Sequence, residues 1–178
     1  GVKCGGENSD GQVGHGDTMP HDLPVAVSGL RSGIKAISAG RRHTCGVTTL
    51  GSVQCWGGNF SGQLGNGSHV DSALPTDVSG LADDIRSVHA GGAHTCALTN
   101  AGGVKCWGFN AIGQLGNGDT VDSSTPVAVT GLAEGVIALS AGYTHTCALT
   151  NGGGVKCWGR NISGQLGNGG TAYSTVPV

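Results

Sequence analysis

The chain is 178 residues long, a length that suits one ordinary domain; 36 residues are Gly, 11% are charged and 4% aromatic. Nine Lys+Arg against eleven Asp+Glu leave a formal charge of −2, and the longest basic feature is Arg41-Arg42, so the phosphate-neutralising face of a nucleic-acid partner is missing. No apolar run approaches the roughly 20 residues that cross a bilayer, so membrane insertion is not expected either.

Glycine at this level could mark a flexible linker, but here it recurs at fixed spacing among Val, Ile, Leu, Cys and Trp, and so marks turns in an ordered structure. Cys4, Cys55, Cys106 and Cys157 follow one another at 51 residues, as do Cys45, Cys96 and Cys147, and Gln12, Gln63, Gln114 and Gln165. Residues 1–30 read as the last two strands of a partial blade. Residues 31–81 are the first full unit, with predicted strands at 34–38, 43–48 and 53–57 and a fourth near 75–78. All are short apolar runs bounded by Gly, Asn and Pro. Residues 82–132 repeat that unit, and 133–178 repeat it again, truncated at the C-terminal end, where Val176-Pro177-Val178 stops and Thr125-Pro126-Val127 runs on. No window of ten or more residues keeps a helical period uninterrupted by Gly. Four short antiparallel strands in about 50 residues describe a propeller blade. The predicted fold is all-β, a single-domain β-propeller of four-stranded antiparallel blades, here an incomplete fragment of about 3.5 blades.

Cysteine spacing refines this. The loop between Thr48 and Ser52 has three residues ending in Gly51, which suits a type I turn followed by a residue in the left-handed region. Setting Thr48 opposite Ser52 puts Cys45 opposite Cys55. With a hydrogen-bonded closing pair, that site is a non-hydrogen-bonded pair with Cα atoms about 4.5 Å apart, within disulfide reach. The loops ending at Gly102 and Gly153 repeat the register, so three cross-strand disulfides are predicted: Cys45–Cys55, Cys96–Cys106 and Cys147–Cys157. Cys4 is left without a mate.

The segments Cys55-Trp56-Gly57-Gly58-Asn59 and Gly62-Gln63-Leu64-Gly65-Asn66-Gly67, preceded by Ala39-Gly40 and His43-Thr44, resemble the regulator of chromosome condensation repeat family. Two further copies and a weaker one around Cys4, with Gly5 in place of Trp and Val13 in place of Leu, carry the resemblance along essentially the whole chain. It implies a closed ring, typically of seven blades. The family's roles are diverse: chromatin-bound guanine-nucleotide exchange for a small GTPase, light perception through tryptophans, and secreted inhibition of an enzyme. Fold therefore leaves function open. The exchange activity uses a hairpin wedge inserted between blades, and the regular 51-residue period leaves no room for one. Paired cysteines point to an oxidising compartment.

Candidate chemistry is repetitive. His43, His94 and His145, each beside a cysteine pair, could suggest zinc, but cysteines facing across a tight hairpin suit a disulfide better; the histidines are expected to hydrogen-bond blade backbone. Gly62-Gln63-Leu64-Gly65-Asn66-Gly67 lacks the following helix of a phosphate loop and reads as a turn. Trp56, Trp107 and Trp158 are expected between stacked blades. Asn59, Asn66 and Asn161 begin glycosylation sequons, although Asn59 and Asn161 belong to the repeat and suit turn capping. Asp17, Asp71, Asp119 and Asp122 read as solvated loop acids rather than a calcium site. No catalytic set stands out from the repeat, and no metal or cofactor is expected.

Positions that differ between units are free to carry specificity. They are Arg41-Arg42, Gly92-Ala93 and Tyr143-Thr144 before each His-Thr-Cys; Gly58, Phe109 and Arg160, with Phe60, Ala111 and Ile162 two residues on; and the loops 68–74, 119–125 and 170–176. Tyr and Arg anchor interfaces well, so Arg41, Arg42, Phe60, Phe109, Tyr143 and Arg160 are the candidate partner-binding residues. The sequence thus describes a non-catalytic, exported, disulfide-stapled module, extracytoplasmic, recognising a protein or cell-surface ligand. The alternative is an intracellular exchange or chromatin-associated factor. The isolated fragment, with uncovered blade faces, is expected to self-associate.

Overall fold

A computed structural model describes residues 1–82 and 84–178. Among the described residues there are thirteen strands and no helix. Strands β1 (Lys3–Gly6) and β2 (His21–Ala26) form a two-stranded sheet. Strands β3 (Ile34–Ala39), β4 (His43–Thr48), β5 (Val53–Gly57) and β6 (Ser72–Asp77) form an antiparallel four-stranded meander. Strands β7 (Ile85–Ala90), β8 (His94–Thr99), β9 (Val104–Gly108) and β10 (Ser123–Ala128) form a second. A third sheet holds β11 (Val136–Ala141), β12 (His145–Thr150) and β13 (Val155–Gly159), and residues Ser174 and Val178 bond to its open edge at Gly159 and Cys157. These are the sheets of an all-β propeller with four-stranded antiparallel blades.

The hairpins follow the expected register. Thr48 N–H donates to Ser52 O at 2.9 Å, Gly51 takes φ +98°, and Cys45 pairs with Cys55. Disulfides join Cys45–Cys55, Cys96–Cys106 and Cys147–Cys157, each with Cα atoms 4.1 Å apart; Cys4 is a half-buried free thiol. The fourth strand departs from expectation: it runs Ser72–Asp77 rather than 75–78. The ladder to β5 resumes beyond a bulge, with Ser72 opposite Gly57, and Pro75 falls in the bulged stretch of an edge strand, where a missing N–H costs no ladder bond.

Inner strands β4 and β8 are buried on both faces, which explains their lack of strict polar alternation. In the three blades that hold a disulfide, one face carries it and the other carries Trp. In the core between the first two full blades, Cys45–Cys55, Val47, Val53 and Leu64 pack against Ile85, Val88, Ala97 and Trp107 of the next blade. The next junction repeats it with Cys96–Cys106, Leu98, Val104 and Leu115 against Val136, Leu139, Ala148 and Trp158. Gly65 shows why this junction demands glycine: its φ is +70°, and a Cβ there would sit 2.7 Å from Trp107 Nε1.

Candidate functional site

The repeated Trp, Thr and His side chains are used in joining blades. Trp56, Trp107 and Trp158 donate Nε1–H to the carbonyls of Gln12, Gln63 and Gln114 in the preceding blade, each at 2.9 Å. Thr95 Oγ1 donates to Gln63 O at 2.8 Å and lies 2.8 Å from His43 Nε2. Since a carbonyl only accepts, the threonine hydrogen is already engaged, and His43 must donate its Nε2–H. His94 and Thr146 repeat the pair at 2.9 Å. His43 and His94 therefore bond a hydroxyl of the next blade, not blade backbone as the sequence suggested. Their Nδ1 atoms are buried with no partner, and burial lowers His43 to about 4 and His94 to about 3, with neighbouring His43 and His145 adding to the effect at His94.

The Asn of each turn is a second framework element. Asn110 Oδ1 accepts Leu115 N–H at 2.9 Å, which aims Nδ2 at Asn117 Oδ1, Asp119 O, Asp119 Oδ1 and Val121 O at 2.9 to 3.2 Å. Asn59 does the same toward Asn66, Ser68 and Val70. The amides of Asn59 and Asn161 are thus buried caps inside their sequons. The acids are not simply solvated: Asp71 and Asp122 accept the backbone N–H of Asn59 and Asn110 at 2.7 Å, while Asp17 and Asp119 accept the amides of Asn8 and Asn110. The sequence hides this because the second register reads Asp17, Ser68, Asp119, Gly170.

What remains lies on one face. The turn after β3 carries Arg41-Arg42, the turn after β7 carries Gly92-Ala93 and the turn after β11 carries Tyr143-Thr144. The ends of β5 and β9 lead to Phe60 and Phe109. Backbone bonds hold these turns together: Arg41 N–H to Gly91 O, Gly92 N–H to Tyr143 O, and Phe109 N–H to Ala93 O. The result is a cleft of about 380 Å³ lined by Arg41, Arg42, Phe60, Phe109 and Tyr143 over a floor of Gly92, Ala93 and Thr144. Five of the six residues singled out from sequence meet here. Arg160 does not line the cleft; its N–H bonds Thr144 O and its side chain is half-buried.

Charge in the cleft is uneven. Arg42 chelates Asp10 at 3.1 and 3.2 Å, whereas Arg41 hydrogen-bonds the Tyr143 hydroxyl and lies 5.6 Å from the centre of that ring. Among the described residues, Arg41 has no carboxylate within salt-bridge distance. Asp10 escaped the sequence reading, though it stands where other units carry Ser61, Ile112 and Ser163.

Fold and site define a β-propeller whose repeated His, Thr, Trp and Asn side chains are framework and five of whose variable residues meet at one cleft. The chain belongs to the regulator of chromosome condensation (RCC1) repeat family, whose model matches residues 4–47, 51–98 and 101–149. It is 36% identical over 182 residues to the ultraviolet-B receptor UVR8 of Arabidopsis thaliana, covering 99% of this chain and 41% of the receptor. It is 34% identical over 171 residues to the human E3 ubiquitin-protein ligase HERC2, covering 92% of this chain and 4% of the ligase. Among solved structures, human WBSCR16 superposes with a TM-score of 0.88 at 27% identity, covering 99% of this chain and 47% of that one. Yeast RCC1 (Prp20), solved bound to Kap60, superposes with a TM-score of 0.83 at 19% identity over 99% of this chain and 44% of that one, a likeness of fold. The chain spans less than half the length of each of these relatives.

Proposed function

We propose that this chain is part of an exported, disulfide-stapled propeller that recognises a protein or cell-surface ligand without catalysis, through the loops around Arg41, Phe60, Phe109 and Tyr143. The observation that carries the proposal is the convergence of variable residues on one cleft while the repeated His, Thr, Trp and Asn side chains are absorbed in blade contacts. Phe60 is 66% and Tyr143 57% exposed, a large aromatic surface of the kind that anchors interfaces. Three disulfides favour an oxidising compartment. Binding of other proteins within the family, as with yeast RCC1 and Kap60, accords with a partner of this class.

The test is photo-crosslinking in the cells that make the protein, with a photoreactive phenylalanine analogue at Phe60 or at Leu50, a residue in a hairpin turn at the opposite end of the strands. A discrete adduct from position 60 and none from position 50 is expected. Equal labelling from both positions would overturn the one-face proposal. Export is checked separately by alkylating thiols in those cells: Cys45, Cys55, Cys96, Cys106, Cys147 and Cys157 should resist until reduced, and free thiols at these positions would reject it.

A further inference from the structure

Resting on that reading, we infer that the occupant of the cleft is a protein segment presenting an Asp or Glu beside a large apolar side chain. The cleft supplies complementary parts. Phe60, Phe109 and the Tyr143 ring form apolar walls, and the small residues Gly92 and Ala93 complete the lining. None of the lining residues is acidic. The two arginines differ in availability: Arg42 is paired with Asp10, whereas no described carboxylate lies within 4.0 Å of Arg41, although Glu7 and Asp10 line an adjoining hollow with both arginines. A guanidinium has five N–H donors, and Arg41 gives one to Tyr143, so donors remain for a bidentate carboxylate. Tyr143 fixes the guanidinium at the cleft edge, which reduces the side-chain entropy lost on binding.

A segment of polypeptide fits better than a free small acid. The exposed rings of Phe60 and Tyr143 extend the apolar surface along the rim. A main chain lying across that rim covers both rings, while a small molecule held in the cleft leaves them in water. A basic segment meets Arg41 unpaired, and like charges exclude it.

Calorimetry tests this with the 178-residue chain and three probes: Ac-Gly-Asp-Leu-Phe-Asp-Gly-NH2, the same peptide with Lys for both Asp, and free phenylacetate. The acidic peptide is expected to bind with a Kd below about 1 mM, at least about tenfold tighter than the other two. Arg41→Gln should bring the acidic and basic peptides to within about twofold, whereas Arg42→Gln combined with Asp10→Asn, which removes that guanidinium together with the carboxylate answering it, should keep the discrimination. Arg41 and Arg42 are exposed, and a non-reducing disulfide map confirms that each variant folds. Equal binding of the two peptides, retained discrimination in Arg41→Gln, or phenylacetate binding as tightly as the acidic peptide overturns the inference. Failure of all three probes to bind at about 1 mM also overturns it, and leaves the broader proposal to be judged by the crosslink from position 60.

Discussion

His43 and His94 each commit one ring nitrogen to a threonine of the next blade and leave the other bare and buried. Neutral imidazole is the form the fold holds, with pKa values of about 4 and about 3 against roughly 6.5 in an unfolded chain. The unfolded state therefore binds protons first as pH falls. The stability from these two groups is complete above about pH 6.5 and drains as pH falls from there to about 4 for His43 and about 3 for His94, by up to about 1.4 kcal/mol per pH unit for each. Melting at pH 7 and at pH 4.5 should show a marked fall in Tm, and the double variant His43→Gln, His94→Gln should flatten the dependence. An equally steep fall in the double variant would assign it to other groups. Residue identities were legible as repeats, but the partner of each histidine was not. It comes from a blade 52 residues on, at a distance set by stacking rather than by any local pattern.

Among elements, the hairpin β4–β5 was the most legible, because turn length, a left-handed Gly51 and paired cysteines agree on one register. The edge strand β6 was the least: a bulge between the pairs at Cys55 and Gly57, opposite Trp56, shifts it toward the N-terminus, and its polar, half-exposed Ser72 carries no apolar signal. The disulfide closes only a short loop, with Cys96 and Cys106 separated by 10 residues. Chain entropy for a loop of that size gives roughly 2–3 kcal/mol. Replacing Cys96 and Cys106 together by Ala should lower stability by about that amount plus the lost packing, read by denaturant unfolding with and without reductant. A wild-type chain that loses nothing on reduction would remove the staple from the account.

At the scale of the whole molecule, sheets of two, four, four and three strands leave the outward blade faces of the isolated polypeptide without neighbours. We expect the 178 residues alone to self-associate, and light scattering should give a mass of at least twice one chain; a monodisperse monomer would reject the expectation. The polar cleft edge was legible as variation between units, yet its closure was not, since Arg41 and Tyr143 lie 102 residues apart and meet only through ring curvature. The relay of His, Thr and Gln also has a direction: each blade's His donates to the Thr of the next, and that Thr donates back to the Gln carbonyl of the blade before it. Every junction is the same relation between a residue and one a fixed step further on. Excising residues 82–132 would bring Gly80-Leu81 to Ala133 just as Gly131-Leu132 leads there now, and His43 would find Thr146 where Thr95 had been. Such a chain is open to unequal recombination: whole units can be gained or lost by copying errors without any surviving junction having to be rebuilt, and only the binding face would register the change.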